Sequence, residues 1–231
     1  MLPASKPILC YVTDRRSLPA GAHAPESEAT LLATIERAAA AGVNWIQLRE
    51  KDLTGRRLAA LARSAVSSAS PDVRIIVNDR LDVALAAGAG GIHLGEASMR
   101  AEEVVGLLRS EACREAAPED FLVGVSTHSG DAACAAEQAG ASYIFFGPVF
   151  ETPTKAAYGA PQGIDKLADV CRLVRIPVLA IGGITVQNAA ECFKAGAEGI
   201  AAIRLFQEAS DLQKVVGLLR PAPLGAARTS R

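Results

Sequence analysis

Short, β-rich apolar runs alternate with alanine- and leucine-rich helical runs along almost the whole chain, and no other feature restricts the fold as much. The strand candidates are Ile8–Thr13, Trp45–Arg49, Arg74–Asn78, Gly91–Leu94, Phe121–Ser126, Tyr143–Gly147, Val178–Ile181 and Gly199–Arg204. Helical stretches follow at Glu28–Ala41, Thr54–Ser68, Asp82–Ala87, Ala101–Arg109, Asp131–Ala139, Asp165–Arg175, Val186–Ala195 and Leu212–Leu219. Eight strand–helix units without a composition break predict an α/β fold closed into a (β/α)8 TIM barrel. An open doubly wound sheet would use fewer strands and carry a nucleotide-binding fingerprint. Residues 1–220 are read as a single domain and 221–231 as a disordered tail.

Composition narrows the function classes. The 231 residues are 50% apolar and 21% charged with a formal net charge of −1, so nothing favours capture of nucleic acid or an anionic membrane. No apolar run approaches membrane-spanning length, and the N-terminus lacks the apolar run of a secretory signal. Cys10, Cys113, Cys134, Cys171 and Cys192 are scattered, odd in number and without CxxC spacing. They point to a reducing, cytoplasmic setting rather than a disulfide framework or zinc site, with Cys134, Cys171 and Cys192 buried in helices. The sequence carries no signal for an oligomeric state.

The junctions before and after the strands differ in kind. Ala41-Gly42-Val43, Ala87-Gly88-Ala89, Ala139-Gly140-Ala141 and Ala195-Gly196-Ala197 end helices with a glycine suited to the left-handed cap, which is structural. The segments after the strands carry chemistry: Gln47–Lys51, Asn78–Arg80, Ser126–His128, Thr152–Lys155 and Gly182-Gly183. In a TIM barrel these carboxyl ends converge on one face. The segment Pro148–Gly163, with three prolines and a lysine, has the length and composition of a lid.

Strand alternation puts Gln47, Arg49 and Lys51 on one face, where an arginine fork and a lysine charge suit diphosphate oxygens. The competing reading is a salt bridge to a helix carboxylate. Gly182-Gly183, before a helix expected near Val186, offers bare amides for a phosphate, with Ile203-Arg204 facing the same cup. Asp79 is either a Mg²⁺ ligand beside Asn78 or the N-cap of the next helix. His128 is either a proton shuttle or a hydrogen-bonding loop residue. His93 reads as a satisfied strand-end histidine and Trp45 as barrel packing.

The series QLREK at Gln47–Lys51, VND at Val77–Asp79, GIHLG at Gly91–Gly95, GVSTH at Gly124–His128, GPVFETPTK at Gly147–Lys155 and AIGGI at Ala180–Ile184 resembles the thiamine-phosphate synthase family in order and spacing over residues 8–220. The resemblance implies a transferase acting on phosphorylated small molecules. A hydroxymethylpyrimidine diphosphate and a thiazole (carboxylate) phosphate would give thiamine phosphate and diphosphate. Diphosphate would leave first, and the thiazole nitrogen would attack the resulting pyrimidine-methyl cation. It further implies Gln47, Arg49, Lys51, Asn78, Ser126 and Lys155 at the diphosphate, with Arg49, Lys51, Ser126 and Lys155 catalytic. Thr152, Thr154, Gly183, Ile203 and Arg204 would line the thiazole phosphate site, and Asp79 would bind Mg²⁺.

Two positions depart from the family pattern. Ser98 stands where a second Mg²⁺ carboxylate is usual, which lowers the expected metal affinity unless Glu96 or water compensates. Arg204 replaces a usual serine, either strengthening a phosphate contact or filling the cup. Two alternatives follow: a metal-independent thiazole tautomerase using His128, and a non-catalytic thiazole-phosphate binder.

Overall fold

The computed structural model describes residues 7–18, 27–151 and 160–220, apart from the Ala112 side chain. The expected tail at 221–231 lies outside them, as do Thr152, Thr154 and Lys155 of the expected lid. Eight parallel strands close in sequence order into a barrel, with β8 returning to pair β1. The order is β1 (Ile8–Val12), α1 (Ser27–Ala41), β2 (Trp45–Leu48), α2 (Gly55–Ser68), β3 (Arg74–Asn78), α3 (Leu81–Ala86), β4 (Gly91–Leu94), α4 (Ala101–Arg109) and α5 (Glu111–Arg114). Then come β5 (Leu122–Thr127), α6 (Gly130–Gln138), β6 (Tyr143–Phe146), α7 (Gly163–Leu173), β7 (Val178–Ile181), α8 (Ala189–Lys194), β8 (Gly199–Ala202), α9 (Arg204–Gln207) and α10 (Leu212–Leu219). No described helix is long and apolar enough to cross a membrane.

The period-2 alternation of each strand divides the core into two layers. Leu9, Ile46, Leu48, Val77, Ile144 and Ile200 face outward into a buried layer shared with the helices. Cys10, Val12, Ile76, Tyr143, Phe145 and Leu179 fill the barrel, where Trp45 packs edge-on against Tyr143 at 4.7 Å. The four junction glycines take positive φ as their sequence context requires, from 64° at Gly88 to 104° at Gly196. The five cysteines are free; Cys192 is buried, whereas Cys134 and Cys171 are only half-buried.

Two expectations need correction. β8 ends at Ala202, so Arg204 is not a strand residue but opens α9. The chain leaves the sheet there because Ile203 adopts a helical backbone and Gln207 draws α9 onto the end of β1. Tyr11 Oη donates to Gln207 Oε1 at 2.7 Å, and Gln207 Nε2 donates to the Asp14 carbonyl at 2.8 Å. The helix after β7 begins at Ala189, not near Val186, because Thr185 and Asn188 close a turn first: the Thr185 amide donates to Asn188 Oδ1 at 2.8 Å and the Asn188 amide to Thr185 Oγ1 at 3.3 Å. The N-cap alternative for Asp79 is not formed either: the N-cap of α3 is Arg80, with no side-chain cap.

A buried polar clamp joins the segments after β1 and β2. Glu50 and Arg15 are each 4% exposed. Thr13 Oγ1 donates to Glu50 Oε1 at 2.6 Å, and Arg15 reaches Glu50 Oε2 through both its amide and Nη1 at 3.2 Å. Arg15 also pairs with Asp52 through two bonds of 2.8 and 2.9 Å. Thr13 Oγ1 accepts the Arg49 amide at 3.0 Å, so the clamp fixes the backbone that presents Arg49. Burial pushes the Glu50 carboxyl up, opposed by the bonds from Thr13 and Arg15. Removing Glu50 would take the acceptor from the Thr13 hydroxyl and the Arg15 amide and leave the buried Arg15 with Asp52 as its only carboxylate among the described residues. Glu50→Ala is expected to lower unfolding free energy by about 3 kcal/mol, measured by urea denaturation. A loss below about 1 kcal/mol would mean that the clamp does not hold this end of the barrel.

Candidate active site at the carboxyl ends of the strands

Inward parity brings Gln47 of β2, Asn78 of β3, His93 of β4 and Ser126 of β5 to the same end of the barrel. The pairings Gln47 with Ile76, Asn78 with His93, and Ser126 with Phe145 set their levels. Gln47 Nε2 donates to Asn78 Oδ1 at 2.9 Å, which orients both amides. His93 meets Ser126 Oγ at 2.9 Å through Nε2 and Tyr143 Oη at 3.1 Å through Nδ1. The reading of His93 as a satisfied strand-end histidine therefore holds. Its ring lies 4.1 Å from that of Phe145, and burial, aided by the Arg49 charge, pushes the imidazole down to about 3.

Arg49 follows the last residue of β2 and is half-buried. Lys51 lies beyond the strand, in an exposed turn, so strand alternation does not extend to it. Among the described residues neither Arg49 nor Lys51 enters an ion pair, and the competing salt bridge to a helix carboxylate is not formed. The acidic residue between them, Glu50, is instead consumed by Arg15.

Asp79 is the one described non-glycine residue with positive φ, 70°. That conformation is uncommon outside glycine, though aspartate tolerates it better than most residues. The Asp79 amide donates to the His93 carbonyl at 2.9 Å, and its side chain is exposed at the barrel mouth. The neighbouring Arg80 pairs with Asp82 rather than with Asp79.

Ser98 is turned back on its own loop, where its Oγ accepts the Gly95 amide at 2.8 Å. His128 contacts the Gly147 carbonyl through Nδ1 and lies 3.3 Å from Glu96 Oε1 through Nε2. The loop hydrogen bond of His128 is thus formed at Nδ1, and Nε2 faces the Glu96 carboxylate.

Gly182 and Gly183 have φ of 95° and 67°. A Cβ on Gly183 would come within 2.4 Å of the Glu151 carbonyl oxygen, and one on Gly182 within 2.5 Å of Pro148 Cβ. Close packing of the β6 and β7 loops is thus sufficient reason for both glycines. Asn188 Nδ2 holds the Gly183 carbonyl at 2.9 Å. Ile203 is half-buried against the barrel interior, and Arg204 is exposed at the start of α9.

Sequence reasoning missed two residues that organise this end of the barrel, Glu50 and Tyr143. Gly124 carries the signal for Tyr143: a Cβ there would lie 2.0 Å from Tyr143 Cζ, so the glycine makes room for that ring.

Residues 12–206 match the family model described as thiamine monophosphate synthase. The thiamine-phosphate synthase of Chlorobium limicola is 36% identical over 226 residues, covering 95% of this chain and 97% of the relative. That of Methanocella arvoryzae is 43% identical over 168 residues, covering 72% and 75%. Among solved structures, a thiamine phosphate pyrophosphorylase from Pyrococcus furiosus superimposes with a TM-score of 0.73 at 32% identity, covering 91% and 92%. The chain belongs to the thiamine monophosphate synthase family and is a transferase of that family.

Proposed function

We propose that this chain joins hydroxymethylpyrimidine diphosphate to a thiazole phosphate, releasing diphosphate and forming thiamine phosphate. The observation that carries the site assignment is Arg49: a half-buried arginine in no ion pair among the described residues, whose charge acts on His93, the partner of the Ser126 hydroxyl. An unpaired guanidinium among fixed donors suits an anion whose charge grows as it departs.

In this reading the C–O bond of the pyrimidine methylene breaks with its electron pair leaving on diphosphate. The thiazole nitrogen then supplies the pair for the new C–N bond. No protein nucleophile is needed. Arg49, Lys51 and Lys155 balance leaving-group charge, Ser126 and the Gln47–Asn78 pair fix its oxygens, and Thr152, Thr154, Gly183, Ile203 and Arg204 hold the thiazole phosphate. The buried, uncharged His93 adds no competing charge. Five free cysteines suit a cytoplasmic setting.

The donor set fits Mg²⁺ shared with substrate rather than an all-protein cage. Asp79 offers one exposed carboxylate at the mouth, and no three His, Cys, Asp or Glu side chains cluster for a metal among the described residues. One or two carboxylates plus substrate phosphates are a common Mg²⁺ environment. When bound there, the ion would neutralise charge on the diphosphate oxygens. Ser98 contributes no charge, and Glu96 is engaged with His128.

The test is mass-spectrometric detection of thiamine phosphate from the two phosphorylated substrates, with Mg²⁺ or with chelator. Product is expected with Mg²⁺ only; conversion of a thiazole tautomer without condensation would replace this reading with the isomerase one. Ser98→Asp keeps an acceptor for the Gly95 amide while adding a carboxylate. It is expected to lower the Mg²⁺ concentration for half-maximal rate by roughly tenfold. An unchanged Mg²⁺ titration would show that position 98 does not face the ion.

A further inference from the structure

His93, Gly124 and Tyr143 sit level on β4, β5 and β6, paired strand to strand. Gly124 presents no side chain, and a Cβ there would fall 2.3 Å from Tyr143 Oη. The phenol therefore lies across β5 and reaches His93 on the far side. Trp45 packs edge-on against the Tyr143 ring at 4.7 Å, and Phe145 lies against His93 at 4.1 Å, so neither ring is free to turn away.

We infer that Tyr143 and His93 are positioning residues that set the direction of the Ser126 hydroxyl, making it a hydrogen-bond donor to the diphosphate. The inference rests on the placement of Ser126 at the diphosphate in the preceding section.

Tyr143 is fully buried, and His93 Nδ1 is the sole hydrogen-bond partner of its hydroxyl among the described residues. Burial also pushes the phenol up, so it keeps its proton. Only two neutral arrangements are available. If Tyr143 donates to Nδ1, the imidazole proton sits on Nε2 and is donated to Ser126 Oγ, and every buried proton has an acceptor. If instead Nδ1 donates to Tyr143, the phenol proton faces no acceptor in a dry interior. A buried, unmade hydrogen bond disfavours that second arrangement by roughly tenfold or more.

The third possibility, a charged ring donating from both nitrogens, would place an unpaired cation in the interior: His93 is buried and enters no ion pair among the described residues. With Nε2–H donated to Ser126 Oγ at 2.9 Å, the serine's own proton is left for another acceptor. Diphosphate oxygens accept and do not donate, so a serine pointing its lone pairs at them would repel. The Tyr143–His93 pair removes that orientation before substrate arrives.

The test joins a spectroscopic readout to a binding one, neither requiring turnover. In the full chain labelled with 15N-histidine, the His93 signals, identified by their loss in His93→Gln, should show a pyridine-type Nδ1 and a pyrrole-type Nε2. The reversed pattern overturns the inference. Inorganic diphosphate, titrated calorimetrically with Mg²⁺, should bind Tyr143→Phe roughly tenfold more weakly than the parent chain. The same substitution in a Ser126→Ala background should change nothing further, because the hydroxyl it directs is gone. An equal loss in both backgrounds would reveal a merely structural tyrosine and overturn the inference, as would unaltered binding or none by the parent chain. Failure of the condensation itself, with these results intact, would instead count against the proposed reaction alone.

Discussion

A closed ring of parallel strands gives every strand residue two directions, into the barrel or out toward the helices, and the candidate site depends on which residues take the inward one. Gln47, Asn78, His93 and Ser126 are separated in sequence but share inward parity and the carboxyl end of the sheet. Alongside them Tyr143, Phe145, Ile76 and Leu179 fill the interior. A one-residue slip in any of these strands would exchange the polar group for an outward apolar neighbour. The apolar outer layer, with Val77 beside Asn78 and Val125 beside Ser126, resists that slip because burying an amide or hydroxyl there would leave it unpaired.

Polar groups buried this deeply are tolerated because they are bonded to one another. The Glu50 carboxylate receives bonds from Thr13 and from the amide and guanidinium of Arg15, and Gln207 bonds Tyr11 and Asp14. Both sets converge on the segment after β1, which thereby anchors the neighbouring ends of β2 and β8. The consequence for function is that Arg49 leaves a fixed backbone while its side chain pairs with no carboxylate among the described residues. The acid adjacent to it in sequence neutralises Arg15 instead.

The fold was legible because periodicity is local: β3, β4, β7, α4 and α10 occupy the residues that their apolar patterns mark. Gln47 was legible for the same reason, whereas Asn78 and Ser126 were assigned to the diphosphate through the family resemblance. Position 204 was not, since an apolar run into Ile203 looks like strand until Gln207, bonded to residues nearly two hundred positions away, pulls the chain into α9. Glu50 was opaque because its partners lie across a strand boundary, and Tyr143 because its role depends on a glycine in the neighbouring strand. The expected phosphate cup at Gly182-Gly183 illustrates the converse: loop packing alone accounts for both glycines.

In the proposed reaction Arg49 and its neighbours hold the leaving diphosphate. The most direct test is equilibrium binding of hydroxymethylpyrimidine diphosphate and, separately, of thiazole phosphate to the parent chain and to Arg49→Ala in the presence of Mg²⁺. A lost charge-assisted contact should weaken the diphosphate substrate by at least about tenfold and leave the thiazole phosphate unaffected. Equal affinity of both proteins for the diphosphate substrate, or equal loss for both ligands, would contradict the account.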